Sequence, residues 1–487
     1  MRIQKKEIRL CVIIPTYNNA GTIGKVVEDV CSHCQHVIVV NDGCTDNTPA
    51  VLEGFKSRID VVSYGKNKGK GGALVAGFRR AMEKGYTHAV TIDADGQHFA
   101  DDIPVLIKEL ENNPEGIIVG ARNLNEENMP KGNTFANRFS NFWFRLQTGI
   151  NLSDTQSGYR LYALNALHGL SLITSRYESE LELMVYAAWA GVKITSVPVR
   201  VYYPPVEERV SHFRPGYDFA RISVLNTVLC ILALVYGYPR IIFRWLKRVA
   251  YTIFSFCYFL FMALELTIVG FFLITVGGAT DEHKRKYHKI LQKRARFVIN
   301  RVPGTTFEYI NETGETFEKP AVIVSNHQAH LDLMAIMMLA PNLIILTKNW
   351  VWHNPFYGLI IRYADFFPVS ETEEMTENIA GMVKKGYSVM IFPEGTRSAD
   401  CRILRFHRGA FYLAEQLGLD IIPVFIKGFG DVLPKKGFSL HPGNMSVEVM
   451  PRISRDDCGG YREMTKKLHA MYVDKYNEAK SVNVIML

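Results

Sequence analysis

Apolar and polar positions along the first 120 residues repeat in a fixed order, a short apolar run followed by a longer stretch with helical spacing. The runs are "IRLCVIIP", "HVIVVND", "DVVSY", "HAVTIDAD" and "GIIVGAR", and helical patterns begin near Thr22, Asp46, Gly71 and residue 101. Short apolar runs bounded by turn residues read as buried strands. Strand and helix in alternation predict a parallel, doubly wound α/β sheet whose ligands gather at the carboxyl ends of the strands. Polar residues stand at those ends: Thr16 and Tyr17, Asn41 and Asp42, Asp93 and Asp95, then Arg122. A second α/β unit is expected from about Thr306, with "AVIVSNH", "NLIILTKN", "DFFPVS", "SVMIFPEG" and "DIIPVFIKG" as its strands.

Two apolar segments separate these units, residues 224–238 and 250–278. The second is long enough to cross about 30 Å of hydrocarbon in spite of Glu265, and the first is marginal. If both crossed, the connector "RIIFRWLKR" with its four positive charges would face outward, against the positive-inside tendency. The pattern therefore predicts a hairpin that dips into or lies along the cytoplasmic leaflet. Three parts are expected: residues 1–220, 221–280 and 281–487.

Charge sharpens this picture. The chain of 487 residues is 48% hydrophobic with a formal net charge of +8, unevenly distributed. "KRKYHKILQKRARFVINR", from Lys284 to Arg301, carries eight basic residues and no acidic one. Such a run beside an apolar segment suits anionic lipid headgroups, and no pattern typical of nucleic-acid binding accompanies it. The N-terminal apolar run is too short for a secretory leader, so both α/β units are expected on the cytoplasmic face of the inner (cell) membrane. Eight cysteines in a chain of this length fit a reduced compartment. Cys31 and Cys34 form a CxxC without a second pair at zinc-ribbon spacing.

"TIDADGQH" carries the first candidate chemistry. In an extended chain Asp93, Asp95 and Gln97 share a face, and their hard oxygens suit Mg2+ or Mn2+ bridging to a diphosphate. With "IIPTYNNAGTI", "VVNDGCTDNT" and "NKGKGGALVAGFRRA" before it, this motif resembles the family 2 glycosyltransferases of the GT-A fold, especially the dolichyl- and polyprenyl-phosphate sugar synthases, over about residues 8–220. The resemblance implies a nucleotide sugar held by Pro15, Tyr17 and Asp42, a metal on Asp93, Asp95 and Gln97, and inversion at the anomeric carbon. Lys70 adds positive charge near the nucleotide. "DTQSGYRLY" resembles the segment near the acceptor, for which Arg122, Arg138 and Arg160 are anion-binding candidates. A lipid phosphate needs no base to attack; a hydroxyl acceptor does, and Asp154 is then the candidate, with Glu180 behind it.

The second candidate site begins at "NHQAHLD", where His327 and Asp332 follow an apolar strand. "TKNWVWHNPFYG", "FPEGTRS" and "IIPVFIKG" follow in order, and together they resemble the lysophosphatidic acid acyltransferase-like glycerolipid acyltransferases over about residues 285–475. His327 would take a proton from an acceptor hydroxyl attacking a thioester, with Asp332 orienting the imidazole. Five residues of regular helix would set the two about 140° apart, so His327 is expected to precede the helix that holds Asp332. Lys348, Pro355 and Gly358 match the second motif; Glu394, Gly395 and Arg397 would organise the acceptor site. Cys401 and Arg402 stand where that family often has a glycine turn.

The expected architecture is an N-terminal GT-A nucleotide-sugar domain, a membrane-associated apolar middle and a C-terminal α/β glycerolipid-acyltransferase domain. The expected function is a bifunctional transferase acting on one lipid or lipid-linked acceptor, with acyl-CoA or acyl carrier protein as acyl donor. Two alternatives stay open: one active half beside a docking module, or a non-enzymatic lipid-binding scaffold.

Overall fold

The computed structural model describes residues 8–123, 131–203, 215–355, 357–368, 373–437, 439–455, 459–480 and 484–485. Two units separate, residues 1–244 with 480–487 and residues 245–479.

The first unit is built on strands β1 (Ile8–Thr16), β2 (Val37–Asn41), β3 (Ile59–Ser63), β4 (His88–Thr91), β5 (Ile117–Ala121), β6 (Arg160–Ala163) and β7 (Ile194–Pro198), in the order β3-β2-β1-β4-β6-β5-β7. Alternate residues of β1 serve opposite cores: Leu10, Val12 and Ile14 pack on one face, Cys11 and Ile13 on the other. A sheet covered on both faces needs apolar residues at successive positions, which is why its strands read as unbroken runs. The sheet is mixed rather than parallel, because β6 lies antiparallel to both β4 and β5. Only four residues long and headed by Arg160, β6 has no apolar run to announce it. From β1 the chain goes to β2 and β3 on one side and to β4 on the other. That reversal opens a crevice past the carboxyl ends of β1 and β4.

The second unit uses β8 (Thr305–Ile310), β9 (Ala321–Ser325), β10 (Leu343–Thr347), β11 (Phe367–Pro368), β12 (Ser388–Ile391), β13 (Asp420–Lys427) and β14 (Gly443–Val449), in the order β11-β10-β12-β9-β13-β14-β8. From β11 to β13 all neighbours are parallel, and β14 turns antiparallel to β13. β8 and β14 are not among the strands expected from the sequence; their alternating burial marks half-exposed strands without a continuous apolar run. Behind the central pair, the buried Tyr472 hydroxyl accepts from the Val424 N–H at 3.0 Å and lies 2.8 Å from the Val324 carbonyl, to which it donates. Strand β15 (Val484–Ile485) belongs to the first unit, where it pairs in parallel with Ile8 and Arg9 of β1.

The hairpin expected in the middle is not formed. Residues 215–276 are helical throughout: Pro215–Leu232, a π turn at Ala233–Gly237, Tyr238–Gly270, and a second π turn at Phe271–Val276. Basic residues interrupt an apolar pattern without breaking a helix, and the widened turn before Pro239 accommodates a residue that cannot donate its own hydrogen bond. Arg244 donates to the Trp189 carbonyl at the end of the helix Glu178–Ala190. Glu265 pairs with Arg294, which removes the objection to a carboxylate in an apolar helix.

Gly428, just past β13, has φ +82°, and a Cβ there would lie 1.9 Å from the Asn444 carbonyl oxygen. Gly428→Ala should destabilise the second unit by about 2 kcal/mol or more, from left-handed strain plus the clash. Urea unfolding of purified protein checks this, and an unchanged midpoint would mean the turn moves aside freely.

Candidate active sites

In the first unit the strand ends before the acidic motif. β4 stops at Thr91, and Asp93 to Gln97 form a turn closed by the Gln97 N–H donating to Asp95 Oδ1 at 3.0 Å, with Gly96 at φ +76°. The shared face expected of an extended chain is therefore replaced by a turn, because the Asp95 side chain caps its own backbone two residues on. Lys70, first residue of the helix Lys70–Glu83, puts Nζ 2.8 Å from Asp93 Oδ1 and 2.9 Å from Glu180 Oε2. Burial alone would raise the Asp93 carboxyl, but Lys70 outweighs it and holds Asp93 below the usual carboxylate range.

Asp42, buried at the end of β2, accepts the Lys68 N–H at 2.7 Å and the Gly69 N–H at 2.9 Å, which fixes the start of that helix. Its carboxyl is raised by burial. Pro15 is buried within β1, paired with Val40 of β2, and Tyr17 follows the strand half-buried. His98, whose burial lowers it to about 4, is neutral, and its Nδ1 has no hydrogen-bond partner.

Two acceptor candidates need correction. Asp154 is fully buried and saturated: Arg122 donates from Nε at 2.6 Å and Nη2 at 3.0 Å, Asn137 Nδ2 donates at 2.6 Å, and the Gln156 and Ser157 N–H groups add two more bonds. Against its burial, Arg122 keeps the Asp154 carboxyl below the usual range, so it holds Arg122 in place and is poorly suited to take a proton. Arg160 is likewise fully buried and donates to the carbonyls of Ser157, Thr155 and Glu180. With a further bond to the Tyr162 hydroxyl at 3.3 Å, its nitrogens are engaged inside the protein and do not present themselves to an anion. Arg138 is exposed on the helix Lys131–Thr148.

In the second unit three neighbouring strands bring the candidate residues together. His327 follows β9, Glu394 follows β12 and Lys348 follows β10. His327 lies in the loop before the helix Asp332–Met337, and its Nδ1 is 2.8 Å from Asp332 Oδ2. The same oxygen accepts the N–H groups of Gln328 at 2.5 Å and Ala329 at 2.9 Å, while the imidazole stacks on Phe392 at 4.1 Å between centroids. Asn326 pairs its amide with both backbone groups of Ile426, pinning the loop to β13. Glu394 accepts the His327 N–H at 3.0 Å with Oε1 and the Leu404 N–H at 3.1 Å with Oε2. Asn326 and Phe392 open the motifs "NHQAHLD" and "FPEGTRS", but sequence reasoning assigned them no part, since each acts through a contact distant in sequence.

Lys348 is exposed, Pro355 is exposed and Gly358 is buried where a Cβ would meet the Trp352 carbonyl oxygen at 2.6 Å. Gly395 takes φ +63°; Arg397 is half-buried, and its carbonyl accepts from Lys435 Nζ at 2.7 Å. Cys401 takes φ +63°, so the left-handed turn a glycine would make there persists in a residue that rarely adopts it.

Residues 11–168 match the family model for glycosyl transferase family 2, and residues 304–427 match the model for acyltransferases. A UDP-N-acetylglucosamine--dolichyl-phosphate N-acetylglucosaminyltransferase of Methanococcus voltae is 33% identical, over 39% of this chain and 85% of its own length. The chain belongs to glycosyl transferase family 2.

This family 2 protein carries an acyltransferase region as well. The chloroplastic 1-acyl-sn-glycerol-3-phosphate acyltransferase LPAT1 of Arabidopsis thaliana is 30% identical over 35% of the chain, which spans about half (49%) of that relative. Among solved structures, the acyltransferase PlsC of Thermotoga maritima aligns at 21% identity with a TM-score of 0.42, covering 49% of this chain and 98% of its own. Glucosyl-3-phosphoglycerate synthase of Mycobacterium tuberculosis, in a complex with Mn2+ and uridine diphosphate, aligns at 18% identity with a TM-score of 0.34, covering 46% and 80%.

The family 2 turn has the donor set a hard divalent cation takes: two carboxylates and an amide oxygen. Burial, and then the neighbouring Asp93, push the Asp95 carboxyl up to about 6. A cation between the two would relieve that like-charge cost. Asp29, His33 and Asp101 form another group with ligand atoms within 4.8 Å of one another, but His33 Nε2 already meets Asp101 Oδ1 at 2.9 Å.

Burial pushes Glu394 up to about 7, against two N–H groups that favour its ionised form. A carboxyl whose folded value exceeds its unfolded value of 4.5 binds its proton more tightly when folded. Its stabilising contribution is complete below about pH 4.5 and lost as pH rises through about 7. Urea midpoints at pH 5 and pH 8 should therefore differ in the wild type by a step that Glu394→Gln lacks. That variant should also lose about 1–3 kcal/mol, because its NH2 group faces one of the two N–H donors. An undiminished step in Glu394→Gln would assign the titration elsewhere.

Proposed function

We propose that the chain is a bifunctional membrane-associated transferase with three parts, residues 1–220, 221–280 and 281–487. The first part transfers a sugar from a nucleotide-sugar donor with inversion. The last transfers an acyl group from acyl-CoA or acyl carrier protein to the same lipid or lipid-linked acceptor. The observation that carries this reading is that each unit gathers its candidate residues at adjoining strand ends, where the residues needed for each chemistry meet.

At the first site Mg2+ or Mn2+, when bound by Asp93, Asp95 and Gln97, would supply Lewis-acid stabilisation of the departing nucleoside diphosphate. Pro15, Tyr17 and Asp42 line the nucleotide side. Asp154 is committed to Arg122, which favours an acceptor that needs no base, a polyprenyl phosphate whose oxygen is already anionic. The name of the Methanococcus voltae relative, with UDP-N-acetylglucosamine and dolichyl phosphate, supports this substrate class.

At the second site Nδ1–H of His327 donates to Asp332, leaving the Nε2 lone pair to take the proton of an attacking hydroxyl. The oxygen bonds to the thioester carbonyl carbon, the C–S bond breaks, and His327 returns the proton to the departing thiolate. Glu394 holds the His327 loop, and Lys348, Gly395 and Arg397 face the acceptor, Arg397 suiting an anionic headgroup.

Exposed apolar side chains support a membrane surface as the workplace. In the first unit Val224, Val228, Ile231 and Val235 recur at helical spacing, and in the second Phe261, Leu264, Ile268 and Phe271 do so. Lys286, Lys289 and Lys293 form an exposed basic stripe on the helix Asp281–Ile299.

Purified chain supplied with nucleotide sugars, acyl thioesters and polyprenyl phosphate should yield lipid products heavier by a sugar and by an acyl group. Asp95→Ala should abolish only sugar transfer and His327→Ala only acyl transfer, as read by lipid mass spectrometry. Loss of both from either change would sink two independent sites, and absence of both activities in the wild type would favour a lipid-binding scaffold.

A further inference from the structure

Two carboxylates in the first site, those of Asp93 and Glu180, share one ammonium. Lys70 Nζ lies 2.8 Å from Asp93 Oδ1 and 3.0 Å from Oδ2, so it occupies both oxygens that a cation would use. It also lies 2.9 Å from Glu180 Oε2. The side chains are well shielded, with 17% of Lys70, 25% of Asp93 and 8% of Glu180 exposed. The second oxygen of Glu180, Oε1, is buried without a hydrogen-bond partner. Backbone closes the contact from one side: a Cβ on Gly158 would sit 2.7 Å from both Lys70 Nζ and Asp93 Oδ2. The neighbouring guanidinium of Arg160 is no substitute, since it is engaged by the Tyr162 hydroxyl and by carbonyl oxygens, among them that of Glu180 itself.

We propose that Lys70 is a resident counter-cation that competes with the divalent cation for Asp93, and that Glu180 is the positioning residue that sets the strength of this competition. The inference rests on the reading of Asp93 and Asp95 as cation ligands. In the chain alone the ammonium satisfies Asp93, so a cation entering the turn must displace it. The diphosphate of a nucleotide sugar offers the displaced ammonium a new anionic partner. Cation and nucleotide therefore reinforce each other, and the cation alone binds weakly. Glu180 adds negative charge beside the turn and gives Lys70 a second place to rest, so its loss leaves Lys70 pressed onto Asp93 alone.

The two residues thus have opposite effects on cation affinity, which a merely structural role for either would not produce. The test is a Mn2+ titration of the purified full chain, followed by the electron paramagnetic resonance of free Mn2+, without nucleotide and with UDP or GDP. Lys70→Met should tighten Mn2+ binding without nucleotide by about tenfold and shrink the further gain from nucleotide. Glu180→Gln should weaken it by about threefold or more. Lys70→Met/Glu180→Gln, which avoids stranding two buried carboxylates without a cation, should still bind more tightly than wild type. Thermal unfolding verifies that each variant is folded. If wild type binds Mn2+ and loses it in Asp95→Ala, yet folded Lys70→Met and the double variant bind no more tightly than wild type, the counter-cation role is overturned. If wild type binds no Mn2+ with either nucleotide, the reading of Asp93 and Asp95 as ligands falls, and this inference with it.

Discussion

A carboxylate removed from water must find donors, and in this chain the donors are mostly backbone N–H groups of the loops that carry the chemistry. Asp42 takes the N–H groups of Lys68 and Gly69, Asp154 those of Arg122, Gln156 and Ser157, and Asp332 those of Gln328 and Ala329. Glu394 joins the loops after two neighbouring strands by accepting from His327 and Leu404. Each acid ties down the backbone of a connection between strand and helix. Without these bonds the strand ends would still lie side by side, but their side chains would not converge.

The two units use the same device for different electrostatic ends. In the first, charges are crowded: Asp93, Asp95, Glu180 and Lys70 stand close together, which under the proposed function would suit a cation and a polyanionic ligand. In the second, one acid serves one imidazole, and the ring rests on Phe392 with its remaining nitrogen available for proton transfer. Departure of a diphosphate asks for charge neutralisation, whereas attack by a hydroxyl asks for a base. The contrast in wiring matches the contrast between the two proposed reactions.

The helical middle has a constraint of its own. Residues 215–276 are far longer than the roughly 20 residues that cross a bilayer, and exposed apolar side chains recur along them at three- and four-residue spacing. Two of its charged interruptions are engaged within the protein: Glu265 pairs with Arg294, and the Arg244 guanidinium donates to carbonyls at the end of the helix Glu178–Ala190. Under the proposed function these features would suit a helix lying along a lipid surface better than a simple span.

Much of this was legible in the residues themselves. Strands buried on both faces write their apolar character into consecutive positions, so β1, β2, β4, β5, β9, β10, β12 and β13 could be read directly, and polar residues following such runs announced the sites. Once the acyltransferase resemblance paired His327 with Asp332, the position of His327 ahead of the helix followed from helical geometry. What the sequence could not decide was anything settled by partners distant along the chain. Antiparallel β6 and half-exposed β8 and β14 lack a continuous apolar run, and the turn at Asp93 to Gln97 depends on a side chain capping its own backbone. Asp154 and Arg160 looked like chemistry because their residue types can do chemistry; only tertiary packing revealed that their polar atoms are already engaged. Sequence determined which groups stand at the strand ends, because burial pattern is local. Tertiary structure decided which of them remain free to react, because hydrogen-bond satisfaction is not.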